Sequence, residues 1–489
     1  VLARILACLL LVLVSHRVSA EARTMPVSAP DTAVAARPDS LLLLSQCPDY
    51  RQLRVGAIVL VGNAVTKESV LRAELDLHEG DTLAAAAVAR RLEVNRRRLF
   101  NLQLFHQVLL QATCRAGELT ILFSVQERWY TFPIPIFTLA DRNYRSWLDR
   151  PDRWRRVDYG VHVVRRNFRG RNEQLIANVQ LGFNRKYELF YEAPGYGRRR
   201  RIGFGAGASY YRSRALDYAT RNDRLVNFRQ ADGDKGYPIL RRYVTAGLRW
   251  RRTVQHLTAL NVTYTHEQVS DSVFRRNPAY YLSGPQRRHV EFSLTSTLNQ
   301  RNTFAYPLTG QFAQASVAYR TFLHEAPGIL TLRGRYVRYV ALGGPFYYSA
   351  GLRGQVRLAR RLGYADSRAF GYDALVRGYD ALVVEGHHYA LLQQGLTYKL
   401  LDAGQLRLRA IRNPKFNQIP LVLYLNTFVD AGYVRNRAAL PANRLPNRLL
   451  SSAGMALHLA TYYDWVLTVE YTRTWHGYGG FFFRTEFPI

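Results

Sequence analysis

At 489 residues the chain is long for one ordinary domain, so two or more folded units are expected. Hydrophobic residues make up 48%, which excludes a disordered or fibrous chain. Net charge is +32, a value that raises the question of nucleic acid, but the arginines run along the whole chain instead of gathering on one stretch.

The first segment reads as an export signal over residues 1–20. Arg4 precedes an apolar run from Ile5 to Val14, and Val18-Ser19-Ala20 supplies the small-residue cleavage pattern. Cys8, after Leu6-Ala7, faintly resembles a lipoprotein site, but the apolar run continues past it, which favours cleavage near Ala20. Export argues against a nucleic-acid partner. Only five of the 68 basic residues are lysine. Compositional bias accounts for this, and so does contact with phosphates of outer-membrane lipid, which the arginine fork grips in pairs of hydrogen bonds. No later segment reaches the ~20 apolar residues of a spanning helix. The exported chain is therefore a periplasmic protein, a secreted one or a barrel.

Residues 21–50, rich in Ala, Pro and Ser at their start, read as a flexible linker. Cys47 near their end and Cys114 further on are the two cysteines left after cleavage, in a compartment that permits disulfides. A bridge between them would stabilise the fold by about 4 kcal/mol in the chain-entropy model; two buried thiols are the alternative.

A compact unit is expected over residues 51–129. Leu53 to Val61 is apolar and β-branched and stops at the turn signal Gly62-Asn63. Lys67 to Leu75 suits a short helix, broken by Gly80-Asp81, and Leu83 to Phe100 a longer one with Val88, Leu92 and Leu99 on one side. Phe105–Thr113 and Leu119–Gln126 read as two strands joined at Ala116-Gly117. The order is β-α-α-β-β, a small α+β domain.

From residue 130 to 489 the period becomes two. Val290, Phe292 and Leu294 alternate with Glu291, Ser293 and Thr295, and Leu467, Val469 and Tyr471 with Thr468, Glu470 and Thr472. One apolar and one polar face suits a membrane barrel with a wet lumen, and equally a soluble sandwich. Connection lengths decide between them. Long connections near 141–156, 214–240, 270–286, 359–387 and 435–448 alternate with short ones near 168–172, 195–201, 253–255, 343–346 and 461–463, although 299–309 and 403–420 depart from the rule. Short turns on one side and long loops on the other are the outer-membrane arrangement, and the count is about sixteen antiparallel strands. Arg333 and Arg335, two apart, then share the lumen face, with Leu330 and Leu332 outward, because a lipid-facing arginine costs ~2–4 kcal/mol at the midplane.

Three motifs stand out. Val376-Arg377-Gly378-Tyr379 lies in the longest loop, between strands eleven and twelve. Phe428-Val429-Asp430-Ala431-Gly432 lies on strand thirteen, and Asn167-Phe168-Arg169-Gly170 in the first short turn. Together with the small domain, whose Gly62-Asn63 turn and Leu77-x-x-Gly80-Asp81-x-Leu83 stretch resemble a POTRA domain, they resemble the BamA/TamA family of outer-membrane assembly proteins (the bacterial surface antigen family). The resemblance runs from about residue 50 to the end. It implies a single periplasmic POTRA that receives an unfolded strand at its sheet edge. It further implies a sixth loop folded into the barrel, with Arg377 pairing with Asp430. The family often adds an acidic partner on strand twelve, and Gly395-Leu396-Thr397-Tyr398 has none.

Pro133 and Pro135 remove two backbone donors from one edge of the first strand. If that edge meets the last strand the closure is weak; a locally splayed edge, or prolines lying before the strand, are the alternatives. The last strand, Gly480 to Ile489, begins after Gly479, alternates Phe481, Phe483 and Phe487 outward and resembles a barrel assembly signal, although it ends Phe487-Pro488-Ile489 where an aromatic residue is usual. Arg198 to Arg201 read as a solvated turn, or as one that contacts the POTRA unit or headgroups. His387-His388 have no ligand-spaced partner, so no metal, cofactor or catalytic group is expected. The expected function is assembly or export of unfolded outer-membrane or secreted polypeptides, with accessory assembly proteins as further partners. A two-partner-secretion translocator, a passive porin and a soluble periplasmic binding module are the rivals.

Overall fold

The computed structural model describes residues 40–43, 47, 50–139, 153–196, 200–229, 236–323, 328–407, 418–461 and 465–484. The expected signal, Phe487 and part of the arginine-rich turn lie outside the described residues.

The small domain contains β1 (Ser40–Leu43), β2 (Gln52–Val61), α1 (Glu68–Arg72), β3 (Thr82–Ala84), α2 (Ala85–Phe100), β4 (Phe105–Arg115) and β5 (Glu118–Glu127). Its sheet order is β1-β4-β5-β2-β3. Period two in β5 sends Leu119, Ile121, Phe123 and Val125 into the core, and the 3.6 period of α2 lays Val88, Leu92 and Leu99 over them. Burial of each such side chain contributes roughly 1.5–3 kcal/mol.

Two expectations need correction here. The segment expected to be a flexible linker contains β1, paired in parallel with β4 from Ser40↔Leu110 to Leu43↔Thr113. Four residues are too few to show a period, and the edge of β4 supplies the partner that local sequence cannot reveal. The long helix starts at Ala85, because Thr82–Ala84 first form a short antiparallel ladder with β2. Cys47 and Cys114 form a disulfide with Cα atoms 6.0 Å apart, which ties the chain just after β1 to the end of β4.

The second domain is one 16-stranded sheet. In barrel order its strands are β6 (Thr131–Leu139), β7 (Val157–Phe168), β8 (Glu173–Gly182), β9 (Asn184–Tyr196), β10 (Ile202–Ser213), β13 (Ile239–Thr253), β14 (His256–Val269) and β15 (Gln286–Asn299). The remaining eight are β16 (Gly310–Phe322), β17 (Ile329–Gly343), β18 (Phe346–Leu358), β21 (His388–Arg407), β22 (Gln418–Arg435), β23 (Leu449–Ala460), β24 (Val466–Thr474) and β25 (Gly479–Arg484). Neighbours are antiparallel throughout. The intervening labels belong to connections: a hairpin β11 (Ala215–Arg221) and β12 (Arg224–Arg229), and β19 (Arg368–Phe370) with β20 (Val384–Glu385). A short helix α3 (Asp271–Arg276) follows β14, capped by Ser270 Oγ.

Outward positions are apolar and exposed, among them Val244, Leu248, Leu260, Phe292, Leu294, Leu332, Leu352 and Val469. Inward positions are polar: Arg333 donates to Gln355 at 2.9 Å, and Arg241 to Glu267 at 2.6 Å. No helix among the described residues is long and apolar enough to cross a membrane. The long-loop side is less uniform than its sequence suggests. Phe183 alone joins β8 to β9, and residues 323–328 and 475–478 are short as well. Ladder pairing, which needs only one reversal of the chain, sets the minimum length on either side.

The inward loop and the barrel seam

Loop six, residues 359–387, owes its position to its own composition. Ala369, Phe370, Ala374, Val376, Leu382 and Val384 form an apolar cluster with Tyr389, Leu391, Val434 and Leu450 of the wall strands β21, β22 and β23. The β19–β20 pair closes the stem, and Gly378 turns the tip with φ +86°. A Cβ at Gly378 would lie 2.7 Å from Thr474 Cγ2, and one at Gly432 would lie 2.5 Å from Val376 Cγ2. Both glycines thus allow the close approach of loop and wall.

At the tip, Arg377 is 1% exposed and Asp430, on the thirteenth strand, is 0% exposed. Arg377 Nε donates to Asp430 Oδ2 at 2.7 Å, Nη2 bonds Oδ1, and the backbone N–H of Arg377 donates to Oδ2 at 3.2 Å. The guanidinium also lies 3.7 Å from the ring centroid of Phe428. Fork, backbone donor and aromatic face compensate the desolvation of this pair; removing one partner of such a pair costs about 3–5 kcal/mol. The twelfth strand does reach Asp430, through Gln393, which sits opposite it in register and donates to Oδ2 at 3.2 Å. The partner that strand twelve supplies is a neutral amide, two residues before the stretch Gly395-Leu396-Thr397-Tyr398.

A second set of bonds holds the base of the loop. Asp366 accepts from Arg287 at 2.6 Å and from Arg320 at 2.7 Å, and Arg287 also binds Glu267. They line a luminal chamber of ≈ 350 Å³ with Arg241 and Arg333. The tip reaches the end of the barrel too. The Tyr379 hydroxyl is 2.7 Å from His476 Nδ1, and Asp380 Oδ1 is 2.6 Å from Arg484 Nη2 on β25. Arg484 also binds Glu470 of β24 at 2.8 Å. Sequence reading missed Gln393, Asp366, Asp380, Glu470 and Arg484. For the three carboxylates the available signal was an acidic residue at an inward strand or loop position in a chain dominated by arginine.

The seam lies between β6 and β25, the first and last strands of the sheet. The β6–β7 ladder runs from Thr131↔Arg165 to Leu139↔Val157 without a register shift, through both prolines. That continuity requires the donors of residues 132, 134, 136 and 138, so the nitrogens of Pro133 and Pro135 lie on the opposite, free edge. β25 begins at Gly479-Gly480 and pairs with β24 from Arg473↔Gly479 to Thr468↔Arg484. Among the described residues no ladder joins β25 to β6. Phe481 and Phe483 face outward, 79% and 67% exposed.

The first short turn binds the small domain. Asn167 Nδ2 donates to Thr66 Oγ1 at 2.8 Å, and the Lys67 N–H donates to the Gly170 carbonyl at 2.8 Å. Thr66 in turn donates to Glu127, from its backbone at 2.7 Å and its hydroxyl at 2.6 Å. Phe168 packs edge-on against Tyr191, 6.5 Å between centroids. A second contact joins Arg251, at the end of β13, to the buried Glu74 at 2.6 Å. Of the two readings of the arginine-rich turn, the solvated one does not hold at Arg200, which lines a pocket with Glu68 and Arg72 of the small domain. Arg200 is buried and donates to the Arg171 carbonyl, because the small domain covers this side of the barrel. Among the described residues no group of three or more His, Cys, Asp or Glu is placed to hold a metal.

A family model described as the Omp85 superfamily domain matches residues 167–461, more than half of the chain. The chain belongs to the Omp85 superfamily. A second model, the POTRA surface antigen variable number repeat, matches residues 53–128. No curated protein sequence matches the chain. Among solved structures, BamA from Haemophilus ducreyi lacking POTRA domains 1–3 is similar with 16% identity and a TM-score of 0.50, over 88% of this chain and 83% of that one. CdiB from Acinetobacter baumannii has 17% identity and a TM-score of 0.49 over 89% and 74%, and CdiB from Escherichia coli 12% and 0.48 over 86% and 72%. The protein is thus an Omp85 outer-membrane barrel with one POTRA domain, in a family that inserts or translocates polypeptides at the outer membrane.

Proposed function

We propose that this Omp85 protein assists other polypeptides into or across the outer membrane through its seam, without covalent chemistry. Its POTRA domain stands in the periplasm beneath the short turns, and its clients are unfolded outer-membrane or secreted chains. The observation that carries this reading is the edge of β6, where Pro133 and Pro135 place two missing donors opposite β7 and no described ladder to β25 compensates. A strand edge with acceptors and too few donors pairs weakly with its neighbour and is open to exchange with another strand.

Entry at the POTRA domain differs from simple edge addition. β1 already occupies the β4 edge. On the other side, β2 is engaged by β3, by the Asp81 carbonyl at Val55 and by Glu79 at Ile58. A client strand therefore displaces β1 before it pairs with β4. Loop six, held at Asp366 and at Arg377 within the lumen, favours the seam over passage through the lumen and disfavours a porin with steady conductance.

A photo-crosslinker placed at Ile134 in β6, with controls at Val262 on the outer wall and Thr263 on the luminal wall, tests the route. Client adducts concentrated at Ile134 are expected. Adducts concentrated at Thr263 would instead mean a luminal translocator, and none above the Val262 background would contradict client handling at the barrel.

A further inference from the structure

The tip of loop six and the terminal strand share one cation. Arg484 lies on β25 with Nη2 2.6 Å from Asp380 Oδ1 and 2.8 Å from Glu470 Oε1, and its Nε donates to the same Glu470 oxygen at 3.0 Å. Glu470 is 0% exposed, and the loop tip covers the face of β24 on which it sits. Asp380 is fixed from its other oxygen, which accepts the Gly378 N–H at 3.1 Å. The carboxylate that shapes the tip is therefore the one that reaches the last strand.

We propose that Arg484 is a positioning residue that couples loop six to β25, so that release of the loop tip loosens the strand at the seam and opening of the strand loosens the tip. This rests on the reading that the seam is the working edge, and it assigns the link between seam and loop. Two physical points support it. An isolated exposed ion pair contributes little, but here one partner is wholly buried and the cation is shared, so its loss leaves an unpaired charge in a dry place. The row beneath the tip also contains buried polar atoms with no partner among the described residues: Thr468 Oγ1, Glu470 Oε2 and Thr472 Oγ1. Covering such atoms costs free energy, which gives the docked tip an alternative state in which water or an incoming strand satisfies them.

The coupling is tested by hydrogen exchange on the full chain in lipid nanodiscs, with Asp380→Asn, Arg484→Gln and the double variant. Coupling of this kind changes an equilibrium by about tenfold and is reciprocal. Asp380→Asn is expected to speed exchange of the β25 amides by about that factor while β15 stays unchanged. Arg484→Gln is expected to raise protease cleavage within loop six, and the double variant to exceed neither single one. Asp380→Asn, confined to the loop, covers the case in which Arg484→Gln fails to fold. Unchanged β25 exchange in Asp380→Asn would overturn the proposal, as would additive effects in the double variant. Neither readout involves a client, so coupling without client handling would reject the proposed function alone, and client handling without coupling would reject this inference alone.

Discussion

Arg377 and Asp430 carry the largest single consequence at the residue scale. Their fork is buried on both sides, so Arg377→Ala leaves the Asp430 carboxylate with only Gln393 and the backbone N–H of residue 377 as partners. A loss of about 3–5 kcal/mol in loop docking is expected, seen as rapid proteolysis within residues 359–387 and impaired activity. An Arg377→Asp, Asp430→Arg double variant is expected to recover part of both. A loop in Arg377→Ala as protease-resistant as the wild type would contradict its anchoring role. The motif residues were legible because their spacing and order are distinctive, and the sixth loop and thirteenth strand could be counted. Gln393 was not, because one amide in an alternating strand differs in nothing from its neighbours until register places it opposite Asp430. Asp380 and Arg484, 104 positions apart in sequence, were hidden because nothing local to either marks the other as its partner.

At the scale of elements, long alternating strands were readable and short ones were not. Fourteen or fifteen residues of period two identify β13, β14 and β15 by themselves. β1 and β3 exist because a neighbouring edge completes their hydrogen bonds, information that lies at residues 110–113 and 52–54. The disulfide has its effect at this scale. Closing the loop from Cys47 to Cys114 is worth about 4 kcal/mol in the chain-entropy model, and it keeps β1 near the edge it covers. A Cys47→Ser, Cys114→Ser variant is expected to lower the unfolding midpoint of the small domain and to increase binding of extended peptides at β4. A midpoint and peptide affinity equal to wild type would show that β1 needs no tether.

For the whole molecule, an arginine-rich composition becomes intelligible once the barrel is formed. Inward guanidiniums at 241, 287, 320 and 377 meet carboxylates at 267, 366, 291 and 430, so a share of the positive charge fastens loop six to the lumen wall. Apart from Arg377 with Asp430, which the family resemblance implied, the sequence could count these arginines but could not pair them, because each pair joins two different strands or a strand and loop six. The docking of the short turns onto the POTRA domain through Asn167, Gly170 and Arg251 likewise appears only in the assembled chain. The loop held in the lumen, the donor-poor first strand and the POTRA domain bound to the turns are the three features on which the proposed role of the seam rests. The most direct measurement is depletion of this protein in its native host followed by quantitative proteomics of the outer membrane. Loss of many barrel proteins, or of one exported client with its partners, is the expected result, while an unchanged outer-membrane proteome together with a steady open-channel conductance would contradict it.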